Sequence, residues 1–167
     1  LLRFPDVPGL RPTPDRARET LFNWLGQDLS GQSCLDAFAG SGALGFEAAS
    51  RGAARVVLWE RDAKALAALR KHALELGMPG VEVTAADALA ALRVTQDTFD
   101  VIFLDPPFAA GLLEPALALA ATRLRPGGRI YAESPTLLPE ELLQGLGLTA
   151  IRRGKAGLSH YCLLEPM

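Results

Sequence analysis

Apolar residues along this chain fall into short runs of two alternating kinds. Residues 33–38, 55–60, 81–85, 99–104 and 129–133 are compact, nearly continuous apolar stretches, as in strands buried on both faces. Between them, residues 44–51, 62–76, 88–92, 112–124 and 138–146 carry apolar positions at helical spacing. Asp62 is placed to cap the second of these helices and Gly77 to stop it. Pro126-Gly127-Gly128 should end the fourth helix. Residues 148–153 and 159–164 read as a closing hairpin over residues 154–157. At the other end, Pro5, Pro8, Gly9 and Pro12 suggest an extended arm over residues 1–13. Thr13 then caps a helix whose first position is Pro14, with Ala17, Leu21, Trp24 and Leu25 as its apolar face.

Strand–helix alternation with buried strands predicts an α/β fold. Right-handed crossovers make it a doubly wound, Rossmann-like, seven-stranded sheet, mostly parallel, with a C-terminal antiparallel hairpin. Helices cover both faces, and an arm and helix over residues 1–26 stand ahead of the sheet. In such sheets ligands bind beyond the carboxyl ends of the strands, so the residues closing each strand are the candidates for chemistry.

At 167 residues, 49% hydrophobic and 22% charged, the chain is of a size and composition to form one domain, 1–167, with its own core. Cys34 and Cys162 lie in apolar runs, and His72 and His160 are far apart, so no metal-ligand spacing is present. No apolar run approaches the ~18 residues of a membrane span. The segment Leu1-Leu2-Arg3-Phe4-Pro5 has neither the apolar core nor the small-residue cleavage site of a signal peptide. A cytoplasmic protein is expected. The net charge of −2 means that any nucleic-acid partner must be met by a local basic surface.

After the first strand comes Asp36-Ala37-Phe38-Ala39-Gly40-Ser41-Gly42-Ala43-Leu44-Gly45, a G-x-G-x-x-G loop between a strand and a helix. That context predicts a nucleotide-type cofactor. Glu60, 18 residues after Gly42, ends the second strand and suits the ribose hydroxyls of NAD, FAD or S-adenosylmethionine (SAM) alike. Asp36 discriminates between them: it would repel a pyrophosphate and attract an ammonium and a sulfonium. Asp87, ending the third strand, can accept from an adenine amino group or simply cap the next helix. Phe38, Arg61 and Ala88 complete the expected cofactor-binding set.

The fourth strand ends in Asp105-Pro106-Pro107-Phe108. Two prolines remove N–H donors and leave a loop of acceptors, with Phe108 as a stacking surface. Methylation of an exocyclic amine needs such a loop. The nitrogen is conjugated into its ring, and acceptors on its hydrogens free the lone pair. A carboxylate matches the adjacent N1–H and N2–H donors of guanine, whereas adenine would be met better by an asparagine amide.

These motifs resemble the class I SAM-dependent methyltransferases that act on amino groups. Gly9-Leu10-Arg11-Pro12-Thr13 and Asp15-Arg16-Ala17-Arg18-Glu19-Thr20-Leu21-Phe22-Asn23-Trp24-Leu25 are similar to the bacterial small-subunit ribosomal RNA (guanine-N2)-methyltransferase family. The resemblance implies a guanine in ribosomal RNA as substrate, SAM as donor, a monomeric enzyme and a basic arm ahead of Pro5. Asp105, Pro106, Pro107 and Phe108 are then the catalytic set. Arg11, Thr13, Arg16 and Arg18 are the expected RNA contacts, though Arg16 and Arg18 also suit a solvated helix face. Arg152, Arg153 and Lys155 form a second basic cluster. Three other readings stand beside this one: a methyltransferase on another planar amine (adenine or a glutamine side chain), an NAD-dependent oxidoreductase, and a non-catalytic RNA-binding module.

Overall fold

The computed structural model describes residues 15–107 and 111–167, the side chains of Asp15 and Arg16 excepted. The elements run α1 (Asp15–Leu25), β1 (Ser33–Asp36), α2 (Ala43–Ser50), β2 (Arg55–Glu60), α3 (Ala63–Leu76), β3 (Val81–Ala85), α4 (Ala88–Val94) and β4 (Phe99–Leu104). They continue with α5 (Leu113–Ala121), β5 (Leu124–Ser134), α6 (Glu140–Gly145), β6 (Leu148–Ala156) and β7 (Ser159–Pro166). One sheet of seven strands has the order β3-β2-β1-β4-β5-β7-β6. Strands β1 to β5 pair in parallel, and β7 runs antiparallel to both β5 and β6. The order reverses at β1, between β2 and β4, which opens a crevice at their carboxyl ends.

Side-chain parity divides the apolar strands between two cores. Cys34, Val56, Leu58, Val101, Phe103, Tyr131, Tyr161 and Leu163 face α1, α2 and α3. Leu35, Val57, Trp59, Ile102, Leu104, Ile130, Ala132, Cys162 and Leu164 face α4, α5 and α6. On α1, Ala17, Leu21 and Leu25 are buried together with Phe22, while Trp24 lies half-buried against Tyr161. Asp62 caps α3 by accepting from Ala65 N at 2.9 Å, and Gly77 ends it.

The largest departures from the expected boundaries lie around β5 and in the closing hairpin. Helix α5 stops at Ala121 rather than 124, and β5 begins at Leu124, ahead of the Pro-Gly-Gly segment. The reason lies in the ladder: Phe99 pairs with Leu124 and Val101 with Arg129, so the intervening residues of β5 loop out of register. The closing hairpin is also longer than expected. Its strands continue to Ala156 and Pro166, which moves the turn to Gly157-Leu158.

Candidate active site

The carboxyl edge of the sheet carries acids at the ends of adjacent strands. Asp36 ends β1 and is almost wholly buried. Its Oδ2 accepts from Gly45 N at 3.0 Å, tying the strand to the first turn of α2. Burial pushes its carboxyl up to about 7, against the pull of the Gly45 N–H and with help from the nearby charge of Glu60. The acid therefore holds its proton well above the pH at which an ordinary aspartate ionises.

Glu60 ends β2 and is also buried. Its Oε1 accepts from Gly40 N at 2.9 Å, and its Oε2 from Arg61 N at 3.0 Å and Asp62 N at 2.8 Å. A carboxylate offers about four acceptor positions, so these bonds leave room for a ligand hydroxyl beside Gly40. The end of β2 holds the glycine loop at a second point, since Ala39 N donates to Trp59 O at 2.9 Å. The loop needs its glycines for specific reasons. Gly42 has φ +83°, and a Cβ there would overlap the Phe46 ring and lie 2.7 Å from Leu69 Cδ2. At Gly45 a Cβ would run into Leu58 on β2, so the absent side chain lets α2 sit close on the sheet.

Asp87 serves as the cap of α4, its Oδ2 accepting from Ala90 N at 3.0 Å. Its other oxygen lies 3.4 Å from Arg61 Nη1, and that arginine side chain is exposed. Ala88 is buried beneath this turn, and Phe38 packs half-buried against the same core. Asp105 follows β4 with partial exposure, Pro106 is buried and Pro107 exposed. Since β4 is the neighbour of β1, this loop stands beside Asp36 across the crevice. Arg18 is half-buried on α1, which packs near β6 and β7. The assignments made to Arg11, Thr13 and Phe108, and to the Arg16 side chain, lie outside the described residues.

A further acid belongs to this edge. Glu133, near the end of β5, is fully buried. Its Oε2 accepts from Tyr131 Oη at 3.0 Å and its Oε1 from Ser159 Oγ at 2.7 Å. Leu104 pairs with Ala132, so Asp105 and Glu133 are one step further along the same ladder. Tyr131 registers both acids: burial first, then the charges of Glu133 and Asp105, hold its hydroxyl protonated. Tyr131 also packs on Phe103 and Tyr161, and Tyr161 on Trp24, so an aromatic row joins this cluster to α1. The signal was present in Ile130-Tyr131-Ala132-Glu133-Ser134, where an acid closes an apolar strand as Asp36 and Glu60 do.

Cys34 and Cys162 are buried free thiols, pushed up to about 12 and about 11, so neither is a nucleophile near neutral pH. Among the described residues no three metal-ligating side chains cluster, and no helix is long and apolar enough to cross a membrane.

The family model described as conserved hypothetical protein 95 matches residues 1–165. The chain belongs to that family. Among its relatives is the ribosomal RNA small subunit methyltransferase D of Escherichia coli strain K12, 42% identical over 87% of this chain and 71% of the relative. The protein of the same name from Haemophilus influenzae is 44% identical over 94% of this chain and 83% of the relative. The solved structure of the Escherichia coli protein yhhF superposes with a TM-score of 0.82 at 39% identity, covering 98% of this chain and 90% of that one. Membership of this family agrees with the Rossmann-like methyltransferase architecture of the sheet and with the crevice at β1.

Proposed function

We propose that this protein transfers a methyl group from SAM to the exocyclic N2 amino group of a guanine in small-subunit ribosomal RNA. The observation that carries the reading is the placement of the Asp105-Pro106-Pro107 loop on β4, directly beside the strand that bears Asp36 and the glycine loop. An acceptor loop for an amine thus adjoins an acidic cradle for a cationic nucleoside. The cradle fits SAM better than a dinucleotide. Acids end β1 and β2 and follow β3, and Arg61, next to Glu60, lies 3.4 Å from Asp87.

In this reading Glu60 accepts from the ribose hydroxyls, and Asp36 faces the positively charged part of the donor. Phe38, Gly40, Gly42, Arg61, Asp87 and Ala88 line the rest of the cradle. SAM supplies an electrophilic methyl group, whose bond to sulfur breaks as the bond to nitrogen forms. Asp105 accepts from the target N2 amino group and from N1–H, with the Pro106 carbonyl as second acceptor. Pulling on those hydrogens turns the nitrogen lone pair out of the ring. The surplus proton of the methylated amine passes through Asp105 to solvent. Pro107 stiffens the loop, and Phe108 stacks on the base. Arg11, Thr13, Arg16 and Arg18 hold the RNA backbone from the 1–26 segment. The enzyme acts as one domain, as a monomer, in the cytoplasm where ribosomal subunits assemble.

Methyl transfer from labelled SAM to unmodified small ribosomal subunits, followed by mapping of the modified nucleotide, tests this directly. Label in N2-methylguanine is the expected result. Label in adenine or in a protein glutamine would assign the site to another planar amine. Calorimetric binding of NAD in place of SAM would remove the methyltransferase reading altogether.

A further inference from the structure

Two large apolar side chains stand exposed on the edge of the sheet that bears the candidate site. Leu158, 87% exposed, forms the turn between β6 and β7. Leu137, 57% exposed, follows Pro135 and Thr136 on the connection that leaves β5. The register places the turn with care. Ser134, the last residue of β5, pairs with His160, which in turn pairs with Lys155. The tip formed by Gly157 and Leu158 therefore projects past the end of β5, on the side where Asp105 leaves β4. Strands β4 and β7 are separated only by β5, so at ~4.8 Å per strand the tip stands laterally within about 10 Å of the Asp105 strand.

An isolated exposed leucine is an ordinary surface feature. This one is set apart by its position and its neighbours. Lys155 is exposed one step below the turn, and Arg152 is exposed on the same strand. Arg153 is held by Glu140 at 3.4 Å, which leaves Lys155 as the cation closest to the tip. The cradle for the cofactor occupies the β1–β2–β3 half of the edge, so this hairpin overhangs the other half, where the acceptor of the methyl group must enter. In a chain of net charge −2, a local cation beside an apolar tip at that entrance matches a polyanion with exposed bases.

A base buried in its stack cannot present its amino group to Asp105, so it must swing out, which costs a few kcal/mol of unstacking. Apolar side chains inserted beside the vacated place offset that cost. We propose that the β6–β7 tip is a wedge on the RNA substrate. Leu158 packs on the base next to the target nucleotide as the target swings out, Lys155 pairs with a flanking phosphate, and Leu137 continues the apolar ledge. This rests on the ribosomal RNA reading above.

The test uses the full chain with unmodified small-subunit ribosomal RNA, both naked and assembled into particles. Leu158→Ala should raise KM for both forms of the RNA about fivefold or more, with SAM affinity by calorimetry unchanged. Leu158→Met, which keeps an apolar tip, should restore it. Lys155→Ala should reduce the slope of log affinity against log salt by about one. Leu158 is exposed, so these variants fold normally, and thermal denaturation checks it. If the wild type methylates RNA while Leu158→Ala and Lys155→Ala keep its KM and salt slope, the wedge is overturned and the methyltransferase reading stands. If the wild type methylates both forms, loss confined to assembled particles would assign the tip to a ribosomal protein and also overturn it. If the wild type methylates no RNA, both readings fall.

Discussion

Asp105 stands where β4 ends, with Pro106 buried behind it and Glu133 beside it on β5. Its carboxylate presents acceptors only, which suits a base edge made of two donors. Asp105→Asn keeps the shape and one acceptor but points an amide donor at that edge. Turnover on guanine should fall a hundredfold or more, about 3 kcal/mol of lost transition-state stabilisation. SAM affinity should change far less. Steady-state kinetics with a parallel binding titration separates the two effects, and near-normal turnover would show the carboxylate to be dispensable. This residue and its loop were legible in the sequence, because two prolines after an apolar run mark a rigid strand end. Glu133 carried only the general signal of an acid closing an apolar strand. In the sequence it is one more acid at a strand boundary, and only the pairing of β5 with β4 and with β7 brings it beside Asp105 and within reach of Ser159.

The glycine loop between β1 and α2 shows how an element is set by close approach. Gly42 stands at φ +83° with Phe46 and Leu69 packed over the place of its missing Cβ. Gly42→Ala must bear both the left-handed backbone cost and the overlap. We expect a loss of about 3 kcal/mol of stability, measured as a lower urea midpoint at unchanged m-value. A midpoint equal to that of the wild type would mean that the turn relaxes freely and does not pin α2. Element boundaries followed their local signals where those were chemical. Asp62 and Gly77 frame α3 as their side chain and backbone preferences require. The start of β5 lacked such a signal. Pro126-Gly127-Gly128 reads locally as a stop, yet Leu124 is drawn into the sheet by its partner Phe99, and the glycines loop out between two paired segments.

Across the whole molecule, the burial of Asp36 links stability to pH. An unfolded aspartate titrates near ~4, and burial holds folded Asp36 at about 7. Between these values the folded chain keeps a proton that the unfolded chain has lost, so stability falls as pH rises through this window and levels off above it. The three-unit shift corresponds to something on the order of 4 kcal/mol. Urea unfolding at pH 5 and pH 8 should show roughly 2–3 kcal/mol of this loss in the wild type, the rest lying below pH 5, and much less in Asp36→Asn. Saturating SAM should oppose it, because a bound cation favours the ionised carboxylate, so its affinity should rise with pH up to about 7. A wild-type profile that is flat, or that rises from pH 5 to 8, would contradict the buried, proton-holding state of this acid. Local pattern was enough to specify the alternation of strands and helices, the glycine loop, and the acids that close β1, β2 and β4. Those features rest on local periodicity, on backbone restrictions at glycine and proline, and on the rule that doubly wound sheets bind ligands at one edge. Which strands are neighbours was settled by long-range packing. It set Asp105 beside both Asp36 and Glu133, joined α1 to the edge through Trp24 and Tyr161, and carried Leu158 to the carboxyl edge of the sheet. Strand order and burial depend on contacts between residues far apart in the chain, and a local pattern carries no record of those contacts.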